Sequence, residues 1–180
     1  VKSLNSATEA PLLPLELWVP GADLLREVPP ALRAMLSEPG PVRALGARLI
    51  EQRLGFLNRE QQERVAAPAA SCLVRDEMLL EAGRPRIFVE ALIPDCTLEL
   101  HPWLGELGDA SLGATLSGAG RIEQGAFEFA PLPASHPLAA RAVDGLAAPP
   151  AMLWARRAWY GLGGRRLLIH ELFLPEPAPC

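Results

Sequence analysis

The sequence predicts an α+β fold in which helices pack against an antiparallel β-sheet. Three observations carry it. Residues 71–93 and 154–174 each read as a β-hairpin. At least five strands can be counted, mostly joined as antiparallel hairpins. Helical spacings gather near the N-terminus and in the connections.

Residues 1–14 are polar and then punctuated by proline, and read as a loosely held arm. From Ala22 to Leu36 the residues Leu24, Leu25, Val28, Leu32, Met35 and Leu36 recur near every third or fourth position. That spacing fits one or two short helices interrupted at Pro29-Pro30. Ser37-Glu-Pro-Gly-Pro41 is a turn cluster. The segment from Val42 to about Leu57 can begin helical and finish as a strand, and periodicity does not separate the two. Asn58 to Ala70 reads as a connection. Ser71–Leu80 then pairs across Glu81-Ala-Gly-Arg-Pro85 with Arg86–Ile93, and Pro94 ends the hairpin. Leu73, Arg75, Glu77 and Leu79 share one face of its first strand, opposite Cys72, Val74, Asp76 and Met78. Leu98–Leu107 is a loop or short helix. Asp109–Leu116 suits a short helix capped by Asp109. Arg121–Phe129 is a weaker strand containing Gly125. His136 to about Leu153 is a Pro/Ala-rich connection with a helical turn.

The last hairpin is the most informative stretch. Leu162-Gly163-Gly164 can supply the positive φ angles of a two-residue turn. Leu167, Ile169, Glu171 and Phe173 share one strand face; Leu168, His170, Leu172 and Leu174 take the other. Glu171 is therefore a carboxylate among three large apolar neighbours. Such a group must be paired, hydrogen-bonded or protonated.

A chain of 180 residues suits one domain with a substantial core. The division is an arm at 1–14, a single domain at 15–176 and a tail at 177–180. No run approaches the roughly 18 apolar residues of a membrane span, and the N-terminus lacks the layout of a secretory signal. A net charge of −4 argues against a general nucleic-acid binder. Three cysteines without C-x-x-C spacing argue against a disulfide framework or a zinc site and point to a reduced, cytoplasmic setting. Three scattered histidines and no H-E-x-x-H argue against a metal enzyme. With no G-x-G-x-x-G, P-loop or G-x-S-x-G, nothing calls for a cofactor.

Arg75 and Glu171 are the candidate functional pair. They can form a structural ion pair or face water at an edge. They can also line a buried pocket for an anionic ligand, the arginine fixing a carboxylate and the glutamate managing a proton or hydroxyl. The pattern leaves both readings open. Arg156-Arg157 and Arg165-Arg166 each send one side chain to each face, with at least one member of each pair expected in solvent. His170 reads as a satisfied core histidine, and Trp154, Trp159 and Tyr160 as packing. Backbone N–H groups of Ser111-Leu-Gly113 can meet an anion or simply form a loop.

These residues resemble the chorismate lyase family. The carriers are Arg156-Arg157, the glycine turn and Leu167-Leu-Ile-His-Glu-Leu-Phe-Leu-Pro175. Val74-Arg75-Asp76, Leu79-Leu80, Gly83-Arg-Pro85 and Ile93-Pro94 add to it, as do Leu107-Gly108 and Ser111-Leu112-Gly113. The resemblance implies a six-stranded antiparallel sheet with helical flaps over an enclosed site. It also implies conversion of chorismate to 4-hydroxybenzoate and pyruvate, toward ubiquinone, without metal or cofactor, in a cytoplasmic monomer with no nucleic-acid or membrane partner. Arg75 would hold the ring carboxylate and Glu171 would meet the ring hydroxyl. The Leu112 backbone would donate to ligand, and the turn at Pro41 would be the flap contact. Two positions depart from the family pattern. Gly40-Pro41-Val42 replaces a Ser-x-Thr-like turn, and Val89-Glu90 replaces a Gly-Arg pair. A carboxylate at Glu90 weakens attraction for a dianion where it faces the pocket. The rival reading is a sensor of small aromatic acids on the same fold.

Overall fold

The computed structural model of the chain describes residues 18–20, 24–39, 46–120 and 122–175. The arm at 1–14, the Gly40-Pro41-Val42 turn and the tail at 177–180 lie outside the described residues. After β1 (Val19–Pro20) and a 3-10 turn at Leu24–Arg26 comes α1 (Pro30–Ser37), with Pro30 at its start and Leu36 buried. The prolines separate the two helical pieces as their spacing predicted. β2 (Gly46–Phe56) is strand throughout, with a bulge between Leu49 and Glu51. The expected helical beginning is therefore not seen from Gly46 onward.

α2 (Arg59–Val65) lies where a plain connection was expected. Its register carries few apolar residues, and Val65 is the one buried. Its start is fixed by a capping box: Asn58 Oδ1 accepts from the Gln61 N–H at 2.8 Å, and Gln61 Oε1 accepts from the Asn58 N–H at 2.9 Å. β3 (Ser71–Glu81) and β4 (Arg84–Pro94) form the expected hairpin, tightened to a two-residue turn at Ala82-Gly83. α3 (Asp95–Leu100) and a 3-10 turn at Pro102–Gly105 follow.

α4 (Leu112–Gly118) is capped by Ser111, whose Oγ accepts from the Ala114 N–H at 3.3 Å. Asp109 does not cap it; its Oδ1 accepts from the Leu49 N–H at 3.0 Å and ties this loop to β2. The weak strand expected at 121–129 is split into β5 (Glu123–Gln124) and β6 (Glu128–Pro133). Between them Gly125 runs so close to the Trp159 indole that a Cβ would fall 2.3 Å from it. α5 (Pro137–Ala142) starts at His136, whose Nδ1 accepts from the Leu138 N–H at 3.2 Å. β7 (Met152–Leu162) and β8 (Arg165–Phe173) close the chain around Gly163 and Gly164, both at positive φ.

The eight strands among the described residues join one antiparallel sheet in the order β1-β6-β7-β8-β4-β3-β2, with β5 added to β7. The six longer strands are the expected set; β1 and β5 are two-residue additions. Alternation sends Ile87, Val89 and Ala91 into a core with Leu36 of α1 and with Leu112 and Leu116 of α4. Phe88 packs on the other face with Leu138 and Ala139 of α5, and Leu92 with Val65 of α2. Helices thus cover both faces. No helix among the described residues is long and apolar enough to cross a membrane.

Candidate active site

Two neighbouring rows of residues run across the sheet, one exposed to each helical layer. The first is Glu77, Val89, Glu171, Arg156 and Phe129, paired in that order from β3 to β6. The second, one residue along, is Asp76, Glu90, His170, Arg157 and Glu128. A shift of one residue exchanges faces. The first row and Arg75 lie under α1 and α4, and the second faces α2 and α5.

Arg75 is fully buried and Glu171 is 2% exposed, both on the α1/α4 face. Two strand spacings and a two-residue step put their Cα atoms about 12 Å apart. Both side chains project from the same face of the sheet. The pair does not simply neutralise itself, because each has another partner. Arg75 Nε and Nη2 donate to Glu77 Oε2 at 3.2 and 3.1 Å. Nη2 also donates to the carbonyls of Gly108 at 2.8 Å and Ala110 at 2.9 Å. Nη1 is buried and has no hydrogen-bond partner among the described residues. Leu112 presents its backbone N–H to an anion, as its loop allowed, but the anion is the Glu77 carboxylate, at 3.3 Å. Burial pushes the Glu77 carboxyl above its ordinary range, Arg75 and the Leu112 N–H pull it back, and the Glu171 charge adds to the rise.

Glu171 accepts from Arg156 Nε, which answers the requirement that a carboxylate in an apolar wall be paired. Arg156 Nη1 donates to the carbonyls of Met35 at 3.3 Å, Leu36 at 3.0 Å and Glu38 at 2.6 Å. Its guanidinium also lies 4.3 Å from the Phe127 ring centroid. One side chain therefore fastens the C-terminal end of α1 to Glu171. The expectation that one of Arg156 and Arg157 would be solvated is overturned: they are 0% and 3% exposed. They do take opposite faces, and each finds a buried carboxylate there, Glu171 and Glu128 respectively. Tyr160, expected as packing, is buried, and its hydroxyl has no partner among the described residues. Burial and then the Glu171 charge push this phenol up, against Arg156. Counting from the turn could have paired Arg156 with Glu171, since each stands seven residues from Gly163-Gly164.

Glu90 stands on the opposite face of the sheet from Arg75 and Glu171. It pairs with Arg141, lies 3.7 Å from Arg53 Nη2, and its Oε1 is 3.2 Å from His170 Nδ1. The condition under which it would repel a dianion is not met. His170 is buried, as a core histidine should be. Cys72 is buried too, and burial pushes its thiol up to about 11. Among the described residues no cluster of His, Cys, Asp and Glu could hold a metal ion.

Burial pushes Glu90 up, but the hydrogen bond and charge of His170, with Arg141 and Arg53, leave it below its ordinary range. A depressed folded pKa adds stability above the unfolded value of about 4.3, lost as pH falls through the folded value. Glu90→Gln should therefore be less stable than the parent at pH 7, with the gap narrowing as pH drops below about 4. Urea unfolding of both proteins across that range checks it; a gap independent of pH would contradict it.

The described residues thus form an antiparallel sheet carrying a buried charged row roofed by helices. In fold the chain is similar to the effector domain of PhnF from Mycobacterium smegmatis, with a TM-score of 0.53 at 15% identity, covering 72% of this chain and 80% of that one. The chorismate lyase family model matches residues 30–178. A relative in Halorhodospira halophila named probable chorismate pyruvate-lyase is 34% identical over 170 residues, 88% of this chain and 90% of that protein. Another of that name in an Azoarcus species is 32% identical over 159 residues, 80% and 84% of the two chains. The chain belongs to the chorismate lyase family.

Proposed function

We propose that this protein is a chorismate lyase, converting chorismate to 4-hydroxybenzoate and pyruvate and so supplying ubiquinone formation. The observation that supports the reading most is the burial of Arg75 and Glu171 on one sheet face, each anchored by its own partner. The ring carboxylate lies toward Arg75 and the Leu112 backbone. The ring hydroxyl lies toward Glu171, whose remaining lone pairs accept from it. Loss of the proton from the hydroxyl-bearing ring carbon, with cleavage of the enolpyruvyl ether bond, leaves an aromatic acid, and the departing enol becomes pyruvate. Aromatisation supplies the driving force, so the protein has to orient a flat dianion and keep water out. The flap contact is assigned to Pro41, which lies outside the described residues. The protein works as a cytoplasmic monomer, without nucleic acid, membrane or cofactor.

Incubation with chorismate should release 4-hydroxybenzoate and pyruvate in equal amounts, well above the spontaneous rate; product at the spontaneous rate rejects the reading. The fold shared with the PhnF effector domain favours a second reading, a sensor of small aromatic acids. Tight binding of 4-hydroxybenzoate without turnover would select it.

A further inference from the structure

We infer that Glu77 is a built-in stand-in for the ligand's carboxylate, seated on Arg75 and the Leu112 N–H until an aromatic acid displaces it. The inference rests on the proposed reading of Arg75 and Leu112 as the carboxylate end of the site. A guanidinium edge and a backbone N–H converging on one point make a seat for a carboxylate. In this structure a carboxylate of the chain itself fills that seat.

The geometry says which bonds are permanent and which can be exchanged. Arg75 Nη2 reaches the Gly108 and Ala110 carbonyls at 2.8 and 2.9 Å, so the guanidinium is held without help from Glu77. The bonds to Glu77 are looser, at 3.1 and 3.2 Å from Arg75 and 3.3 Å from Leu112. Well-formed charge-assisted bonds fall near 2.7–2.9 Å. Glu77 is also 2% exposed on its side chain and shares its sheet row with Glu171, with only Val89 between them. Two carboxylates buried on one sheet face repel, which weakens the hold on the one less tightly bonded. An incoming carboxylate satisfies the same donors, so the exchange leaves neither Arg75 nor Leu112 without a partner. Glu77 thus sets the affinity of the seat and keeps the buried arginine compensated while it is empty.

Calorimetric titration of the parent and of Glu77→Gln with 4-hydroxybenzoate tests this, with phenol as the probe lacking a carboxylate. The variant should bind 4-hydroxybenzoate tighter by roughly tenfold or more, the scale of one charge-assisted hydrogen bond. Phenol binding should be unchanged. A residue with a merely structural role would weaken both. Equal or weaker binding of 4-hydroxybenzoate by the variant overturns the inference. A crystal structure of the parent with bound 4-hydroxybenzoate gives an answer that does not depend on the variant's folding. Glu77 displaced from Arg75 and Leu112 supports the inference. An acid held by Arg75 Nη1 with Glu77 unmoved overturns it. Chorismate turnover, measured alongside, separates the two claims. Turnover without tighter binding sinks the Glu77 inference alone, and tighter binding without turnover sinks the lyase reading alone.

Discussion

Arg75→Ala is expected to lower kcat/KM for chorismate by at least one to two orders of magnitude and to weaken 4-hydroxybenzoate binding to match. Truncating a charge-assisted contact costs about 1.5–3 kcal/mol, which is roughly 10- to 150-fold. The fold should suffer as well. Arg75 is fully buried, and its removal strands the Glu77 carboxylate and two loop carbonyls, Gly108 and Ala110. Breaking a buried pair from one side typically destabilises by about 3–5 kcal/mol, a large share of a domain's stability. Protonation of Glu77, already pushed upward by burial, would relieve part of that. Loss of activity in the single variant therefore has two possible origins, and a second variant separates them. Arg75→Met combined with Glu77→Leu removes both charges and should recover the part of the melting temperature lost to the stranded carboxylate, although the Gly108 and Ala110 carbonyls and the Leu112 N–H lose their partners. It should still bind no aromatic acid. An Arg75→Ala protein that converts chorismate like the parent would remove Arg75 from the site altogether.

Much of this site was legible because strands alternate strictly. Once 71–93 and 167–174 are read as strands, Arg75 with Glu77, and Glu171 with its apolar neighbours, each fall on one face. The structure adds that the two faces are the same one, a fact that depends on β8 pairing with β4. No local pattern specifies that pairing, since it joins segments about 80 residues apart. The same long-range step hid the partners. Arg156 looked like half of a surface pair because arginines are seldom buried, and nothing nearby in sequence shows that α1 ends over it. The chain did hold one unused clue, the equal distance of Arg156 and Glu171 from the glycine turn. Glu90 shows the converse: its face was readable from Asp76 and Arg75, and with it the answer to whether it meets the ligand. The helices were harder for local reasons. α2 buries one residue and so carries little apolar periodicity, although its Asn58/Gln61 capping box was there to read. At α4 the carboxylate of Asp109 looked like a cap, but Ser111 stands immediately before the first helical residue and takes the role.

Arg156 should prove as consequential as Arg75, by a different route. Its Nε holds Glu171 and its Nη1 holds three carbonyls at the end of α1. Arg156→Met should destabilise by about 3–5 kcal/mol, since it breaks the buried Arg156–Glu171 pair from one side. Lysine should not substitute, because one ammonium cannot serve the carboxylate and the helix end in the fixed geometry of a guanidinium. Glu171→Gln is the informative contrast. It keeps a hydrogen-bonding side chain opposite Arg156 and leaves the α1 carbonyls bonded, so the fold should survive while turnover falls with the loss of the charged acceptor. Amide hydrogen exchange distinguishes the two. Protection around Leu36–Glu38 should fall in Arg156→Met and Arg156→Lys and stay at the parent level in Glu171→Gln. If α1 exchanges at the parent rate in all three, Arg156 does not fasten that helix.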